Sequence, residues 1–269
     1  MRAVVFLVAV NVFRESVRDK VLYSLVGFAT LLIAASYLIG QLTAGQDVKI
    51  IKDLGLAAIA TFGLLIAVFI GIGLVWKEVD RRSIYSLLAK PIRRHEFIVG
   101  KYVGLALTLL VNVAMMTVAF YAVLAYLNTQ FPETVRAGWP APATDPGMLR
   151  AIALIFVELL LVTAIALFFS TFSSPFLSAA LTVGLWVIGH FNTDLRNFES
   201  VVESASGAYL ARGLYYLLPN FAAFDIKTQV VHALPVPPSY LVTTTAYGLA
   251  YIALLLSAAV VIFERRDFK

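Results

Sequence analysis

Residues 54–97 read LGLAAIATFGLLIAVFIGIGLVWKEVDRRSIYSLLAKPIRRHEF, and the two halves of this stretch differ sharply in character. From Leu54 to Trp76 there is no charged side chain. As a helix, that run is long enough to cross a bilayer core of about 30 Å, which takes roughly 20 apolar residues. A barrel strand would instead alternate in polarity over about 10 residues. From Lys77 to Phe97 charge returns abruptly, as expected of a segment that has left the membrane.

The rest of the chain repeats the apolar half. Of 269 residues, 61% are hydrophobic and 14% charged, with a mean hydropathy of +0.88, which excludes an ordinary soluble domain. Further apolar runs at 21–42, 102–127, 149–172, 175–191 and 240–263 bring the expected total to six spans, an all-α integral membrane fold. The run at 175–191 sits at the lower length limit and is expected to stand upright or break near the outer face. Residues 1–13 resemble a signal-peptide core but run into RESVRDK without a small-residue cleavage site, so the segment is expected to be retained. Read at 100° per residue, Phe6, Val10, Phe13 and Val17 share one face while Asn11, Arg14, Glu15 and Arg18 share the other. That pattern predicts an interfacial helix over 1–20, lying flat on the membrane.

Orientation follows from where the cations fall. With the N-terminus inside, fourteen of the 21 Lys and Arg lie in inner segments and seven in the longer outer ones, so both termini are expected in the cytoplasm. The formal net charge of +5 therefore reports topology and attraction to anionic lipid heads, and gives no reason to invoke nucleic acid. Outside, the proline-rich 128–147 reads as an irregular excursion. The region 192–239 reads as a cap of short helices, one of them dipping into the membrane.

Catalytic signatures are approached and missed. HEFIV at His95 opens like a zinc-protease motif, yet Val99 stands where the second imidazole is required. Gly100-Lys101 ends like a phosphate loop, but position 95 is His and position 102 is Tyr. Cysteine is absent and the three histidines are dispersed, so neither an enzyme site, a metal site nor a cofactor of its own is expected.

The charged insert 77–97 has internal order. Lys77, Glu78, Asp80, Arg81 and Arg82 lead in, Ile84, Leu87 and Leu88 form an apolar ridge, and Pro91 closes the piece. A lipid surface and a soluble partner both account for its cations. A docking element also accounts for the mixed charges, the ridge and the proline corner.

The string KEVDRRSIYSLLAKPIRRHEFIVGKYVG is joined by NVFRESVRDKVLYSL, DLGLAAIATFGLLIAVFIG, LLPNFAAFDI and IFERRDF. Together they resemble the permease subunits of type-2 ATP-binding-cassette (ABC-2) transporters. Within them the closest likeness is to the branch associated with multicopper-enzyme maturation, which includes the nitrous-oxide-reductase maturation permease. The resemblance implies an inner-membrane dimer, formed with a second copy or a paralogue. Each six-span subunit would pair with a separate cytoplasmic ATPase that holds the ATP and Mg. It also implies that 77–97 is the coupling helix, with Glu78, Arg81, Arg82, Leu87, Leu88, Lys90, Pro91 and Arg94 docking the ATPase. Residues 1–20, with Arg14, Glu15 and Arg18, correspond to the elbow helix.

Glu158 is the one carboxylate placed inside a span, where charge costs roughly 2.5–3.5 kcal/mol on insertion scales. It reads either as a pathway or dimer-interface group or as a hydrogen-bonding tie to a neighbouring helix, with Asn112 as a plausible partner. His190 is expected near the outer boundary. Three functions are open: ATP-driven export, ATP-driven force transmission to a periplasmic protein, and stand-alone secondary transport. The last calls for ion pairs, broken helices or repeats inside the membrane. Finally, Ala58, Gly63, Ala67 and Gly71 form a small-residue stripe on the second span, and Ser178, Thr182 and Gly189 a weaker one on the fifth. These predict a dimer meeting along both, with cysteines at 67 and 182 cross-linking between subunits.

Overall fold

Hydrocarbon offers no partner to a backbone N–H or C=O, so each apolar run is driven into a continuous helix. The computed structural model describes residues 2–41, 47–80, 93–192, 213, 215 and 217–265, and all regular structure among them is helical. The elements are α1 (Arg2–Val17), α2 (Lys20–Gln41), α3 (Asp47–Asp80), α4 (Arg94–Gln130), α5 (Glu133–Arg136), α6 (Met148–Ser170), α7 (Pro175–His190), α8 (Lys227–Val231) and α9 (Pro238–Arg265). A 3-10 turn at Ala222–Phe224 precedes α8.

Five of these, α2, α3, α4, α6 and α9, are long and apolar enough to cross a membrane. The sixth expected span is the shorter α7, whose 16 residues rise only about 24 Å. Its start is sharp: Pro175 sits in the first turn and Ser174 Oγ accepts from Leu177 N at 3.4 Å. Conversely, α3 and α4 overrun their expected spans. At 34 and 37 residues they extend about 51 and 56 Å, well past a ~30 Å core. Residues 81–92 lie outside the described residues, while 77–80 continue α3 and 94–97 open α4, so these two ends of the expected coupling segment belong to the long helices. Pro91 permits this, since α4 starts just beyond it. The Glu96 carboxylate, at the third helical position, accepts from Arg93 N at 3.3 Å. The HEF motif is thus a helix start.

The centre of the bundle is α3 against α6, the two most buried spans, flanked by α4; α2 and α9 are peripheral. The small residues of α3 decide this packing. A Cβ at Gly55 would strike the Phe120 ring of α4, and one at Gly63 would strike Leu159 of α6. At Gly71 it would lie 2.6 Å from Ala166 Cβ of α6. The stripe is consumed within the subunit, and Ala67 is 0% exposed. Thr182 is also fully buried, donating to Ser178 O at 2.6 Å. The expected dimer seam along these residues is therefore wrong, because a stripe that lets backbones approach is equally useful inside one subunit. Cysteines at Ala67 and Thr182 are expected to resist maleimide labelling in the folded protein and to form no inter-subunit cross-link. Ready cross-linking at this pair would contradict the packing.

The N-terminal helix also packs against the bundle, which its face pattern did not show. Its buried side is Ala9, Val12 and Ser16, a protein-facing side between the apolar face with Phe6, which is 67% exposed, and the exposed polar face with Asn11, Arg14, Glu15 and Arg18. Val5 and Val8 meet α4 at Gly100, where an added Cβ would lie 2.8 Å from Val8 Cβ, and Ala9 and Val12 meet it at Gly104, where one would lie 2.6 Å from Ala9 O. A four-residue glycine spacing lets two backbones meet. The apolar side that remains, with Phe6 and Leu7, faces outward.

Candidate functional site

At one end of the bundle α3 finishes, α4 begins, and α1 and the last turn of α9 pack against it. Arg94 Nη1 donates to Phe263 O and Glu264 O, each at 2.9 Å. These are carbonyls in the last turn of α9, and a cation at that terminus meets the negative end of the helix dipole. Phe97 stacks on Phe263 with ring centroids 5.8 Å apart, and Lys101 Nζ lies 4.6 Å from the Phe97 centroid. One and two turns further on, Gly100 and Gly104 hold α1. The first three turns of α4 thus bind α1 on one side and the end of α9 on another. Among the elbow residues, Arg14, Glu15 and Arg18 are exposed, while Ser16 between them is buried. Glu78 lies in the final turn of α3. Arg81, Arg82, Leu87, Leu88, Lys90 and Pro91 fall outside the described residues.

Midway along α6 sits the second cluster. Glu158, 6% exposed, accepts from Trp186 Nε1 at 2.8 Å, and His190 Nε2 lies 3.6 Å from the same oxygen. His190 Nδ1 is 3.0 Å from Trp186 O, a carbonyl, so Nδ1 carries a proton. Trp186 and His190 are four apart on α7 and therefore share a face. Asn112 is elsewhere: it donates to Thr108 O at 2.7 Å within its own helix. The expected Glu158–Asn112 pairing is thereby corrected, since an Asn side chain within a helix can bond the backbone carbonyl one turn back.

This cluster also locates the end of α7. Glu158 lies about 15 Å along α6 from Met148, so His190, beside it, ends α7 at half the depth of the bundle. The chain after the break folds inward. Phe221 N donates to Gly189 O at 3.0 Å, and Phe221 stacks on His190 at 5.8 Å. Phe221 and Phe224 are both fully buried, and a Cβ at Gly248 of α9 would lie 3.1 Å from Phe224 Cζ. Sequence reasoning missed Trp186 and His190 as partners of Glu158. The available signal was their i, i+4 spacing on the one span too short to cross.

Two further ties, also missed, hold the 131–147 connection at the opposite end. Lys52, 1% exposed, donates to Pro142 O at 2.9 Å, and Tyr121 OH donates to Asp145 O at 3.0 Å.

The family described as ABC-2 family transporter protein matches residues 7–268. The chain belongs to that family. No curated protein matches it in sequence. As an ABC-2 permease it is a multi-pass membrane subunit of an ABC transporter, and permeases of this family typically work with a cytoplasmic ABC ATPase. In the ABC-2 permease, Arg94 and Gly104 belong to the frame around the charged connection, and Glu158 ties α6 to the broken α7.

Proposed function

We propose that this permease exports a substrate across the inner membrane, driven by a separate cytoplasmic ATPase that seats on residues 77–97 and holds the ATP and Mg. Both termini are cytoplasmic, and a second copy or a paralogue completes the transporter. The observation that carries this reading is the start of α4. Immediately after the charged connection, one rigid helix grips α1 through Gly100 and Gly104 and the end of α9 through Arg94. Displacement of 81–92 by a closing ATPase is passed to three elements at once, which suits a two-state transition better than a loose loop does. The test is charge reversal at Arg81 and Arg82, or Leu87→Asp with Leu88→Asp, in the reconstituted complex. Transport-coupled ATP turnover is expected to be lost while thermal unfolding of the permease is unchanged. Normal coupling in both variants would defeat the docking assignment.

A second reading has its own support. Pro219 and Phe221 of the cap are seated on the mid-depth end of α7, so a shift of that helix would be felt by the cap. This suits force transmission to a periplasmic partner, as in the metalloenzyme-maturation branch. Co-purification of a periplasmic protein, with no small molecule stimulating ATP turnover in proteoliposomes, favours transmission over export.

A further inference from the structure

Glu158 and His190 meet halfway through the bundle, and the protons between them can be counted. His190 Nδ1 is 3.0 Å from Trp186 O, and a carbonyl only accepts, so the first ring proton is on Nδ1. In a neutral ring Nε2 is then a bare lone pair, and it lies 3.6 Å from Glu158 Oε1. A carboxylate oxygen at that place sets acceptor against acceptor. One more proton turns the contact from repulsive to attractive, and 3.6 Å is within ion-pair range.

Among the described residues the carboxylate finds no other counter-charge. Glu158 is 6% exposed, and the Trp186 N–H that it accepts from is neutral. Asp225 and Lys227, at the start of α8, also act on it, but Lys227 Nζ lies 3.3 Å from Asp225 Oδ2, so their fields largely cancel. No charged side chain occurs on α3 from Leu54 to Trp76, on α4 from Tyr102 to Gln130, or on α9 from Pro238 to Phe263. The titratable groups that α4 and α9 do bring are tyrosines, among them Tyr102, which donates to Leu160 O, and Tyr247, which accepts from Asn220 N. A buried carboxylate without a counter-charge is costly, so the demand falls on His190. The ring is placed to carry the charge: it stacks on Phe221 with centroids 5.8 Å apart and lies 4.4 Å from the Trp186 ring, and aromatic faces attract cations.

We propose that Glu158 and His190 form a proton-binding site, in which one proton on His190 Nε2 is held against Glu158 Oε1 and fastens the inner end of α7. The proton comes from water and returns to it, and no other bond changes. His190 is the last residue of α7, and Phe221 N donates to Gly189 O beside it. Arrival of the proton therefore tightens α7 against α6 and seats the cap, and its loss releases both. The site belongs to the permease alone and holds whichever output, export or force transmission, the complex delivers.

The test uses the full chain in dodecylmaltoside, carrying Trp76→Phe and Trp139→Phe so that Trp186 is the only tryptophan. An imidazolium in contact with an indole quenches its emission, so Trp186 reports the charge on His190. Emission is expected to rise in one single-proton transition between about pH 5 and pH 9. His190→Gln should abolish that transition. Glu158→Gln keeps an acceptor for the indole but removes the counter-charge, and should move the midpoint toward acid by about one pH unit or more. A proton bound by the folded pair stabilises the fold where it is bound, so the contribution is present on the acid side and lost as pH rises through the transition. The thermal midpoint of the parent should accordingly exceed that of Glu158→Gln by a few degrees more at about pH 6 than at about pH 9. The glutamine variant is near-isosteric and decides alone if His190→Gln does not fold. No transition in the parent, a transition that survives His190→Gln, or one that stays in place in Glu158→Gln would overturn the proposal.

Discussion

Replacing Gly104 with leucine is expected to lift α1 off α4 and destabilise the permease by about 3 kcal/mol, the upper part of the range for overpacking. The obstacle is backbone. A Cβ there would sit 2.6 Å from Ala9 O and 2.7 Å from Val12 Cβ, and a carbonyl within a helix has no rotamer by which to withdraw. Gly27 offers the control, because nothing lies within 4 Å of a Cβ built on it. Leucine at 27 should leave the unfolding midpoint in mild detergent where it was or raise it slightly, as helix propensity favours Leu over Gly. Equal midpoints for the two variants would show that α1 is not clamped at this crossing. Because α1 and the charged connection share α4, Gly104→Leu is also expected to weaken ATP coupling even in the fraction that stays folded.

The second large effect is expected at Glu158. Leucine at this position leaves Trp186 Nε1 buried with no acceptor, at a cost of about 1–3 kcal/mol, whereas glutamine keeps an oxygen for the indole. Glu158→Leu should therefore unfold well below Glu158→Gln. In a Trp186→Phe background the donor is gone, and the difference between the two variants should collapse, which isolates the pair as a double-mutant cycle. A leucine–glutamine gap that persists without Trp186 would place the role of Glu158 in something other than this bond. The prediction matters for function because Trp186 and His190 lie in the last turn and a half of α7. Loosening them frees the helix end on which the cap rests.

Much of this molecule could be read along the chain. Pro175 after Ser174 marked the start of α7, and the length of 175–191 marked it as the span most prone to stop short. The run of charge after Trp76 marked where the chain leaves the membrane, though not that α3 stays helical to Asp80. The candidate cluster was less legible. Glu158 stood out because a carboxylate in a span is expensive, but its partners could not be chosen from one sequence, and Asn112 was as reasonable as Trp186. Glu96 and Arg94 looked like parts of a motif and of a docking surface. They are seen to cap the start of α4 and the end of α9 respectively, the second across 169 residues of chain.

What the sequence by itself determined is the part governed by the solvent. Apolar runs in hydrocarbon must close their own hydrogen bonds, so class and helicity follow from local composition. Which side of each helix meets protein and which meets lipid was decided only by the tertiary structure. In water a helix advertises its buried face by contrast with its polar one, but in a membrane both faces are apolar and the contrast vanishes. That is why the protein-facing side of α1, Ala9, Val12 and Ser16, was not marked out along the chain. It is also why the stripe through Ala67 gave no sign that it belonged against α6 and not against a second subunit. Small residues announce close approach and leave the partner unnamed, since the partner is set by complementary shape on another helix many residues away.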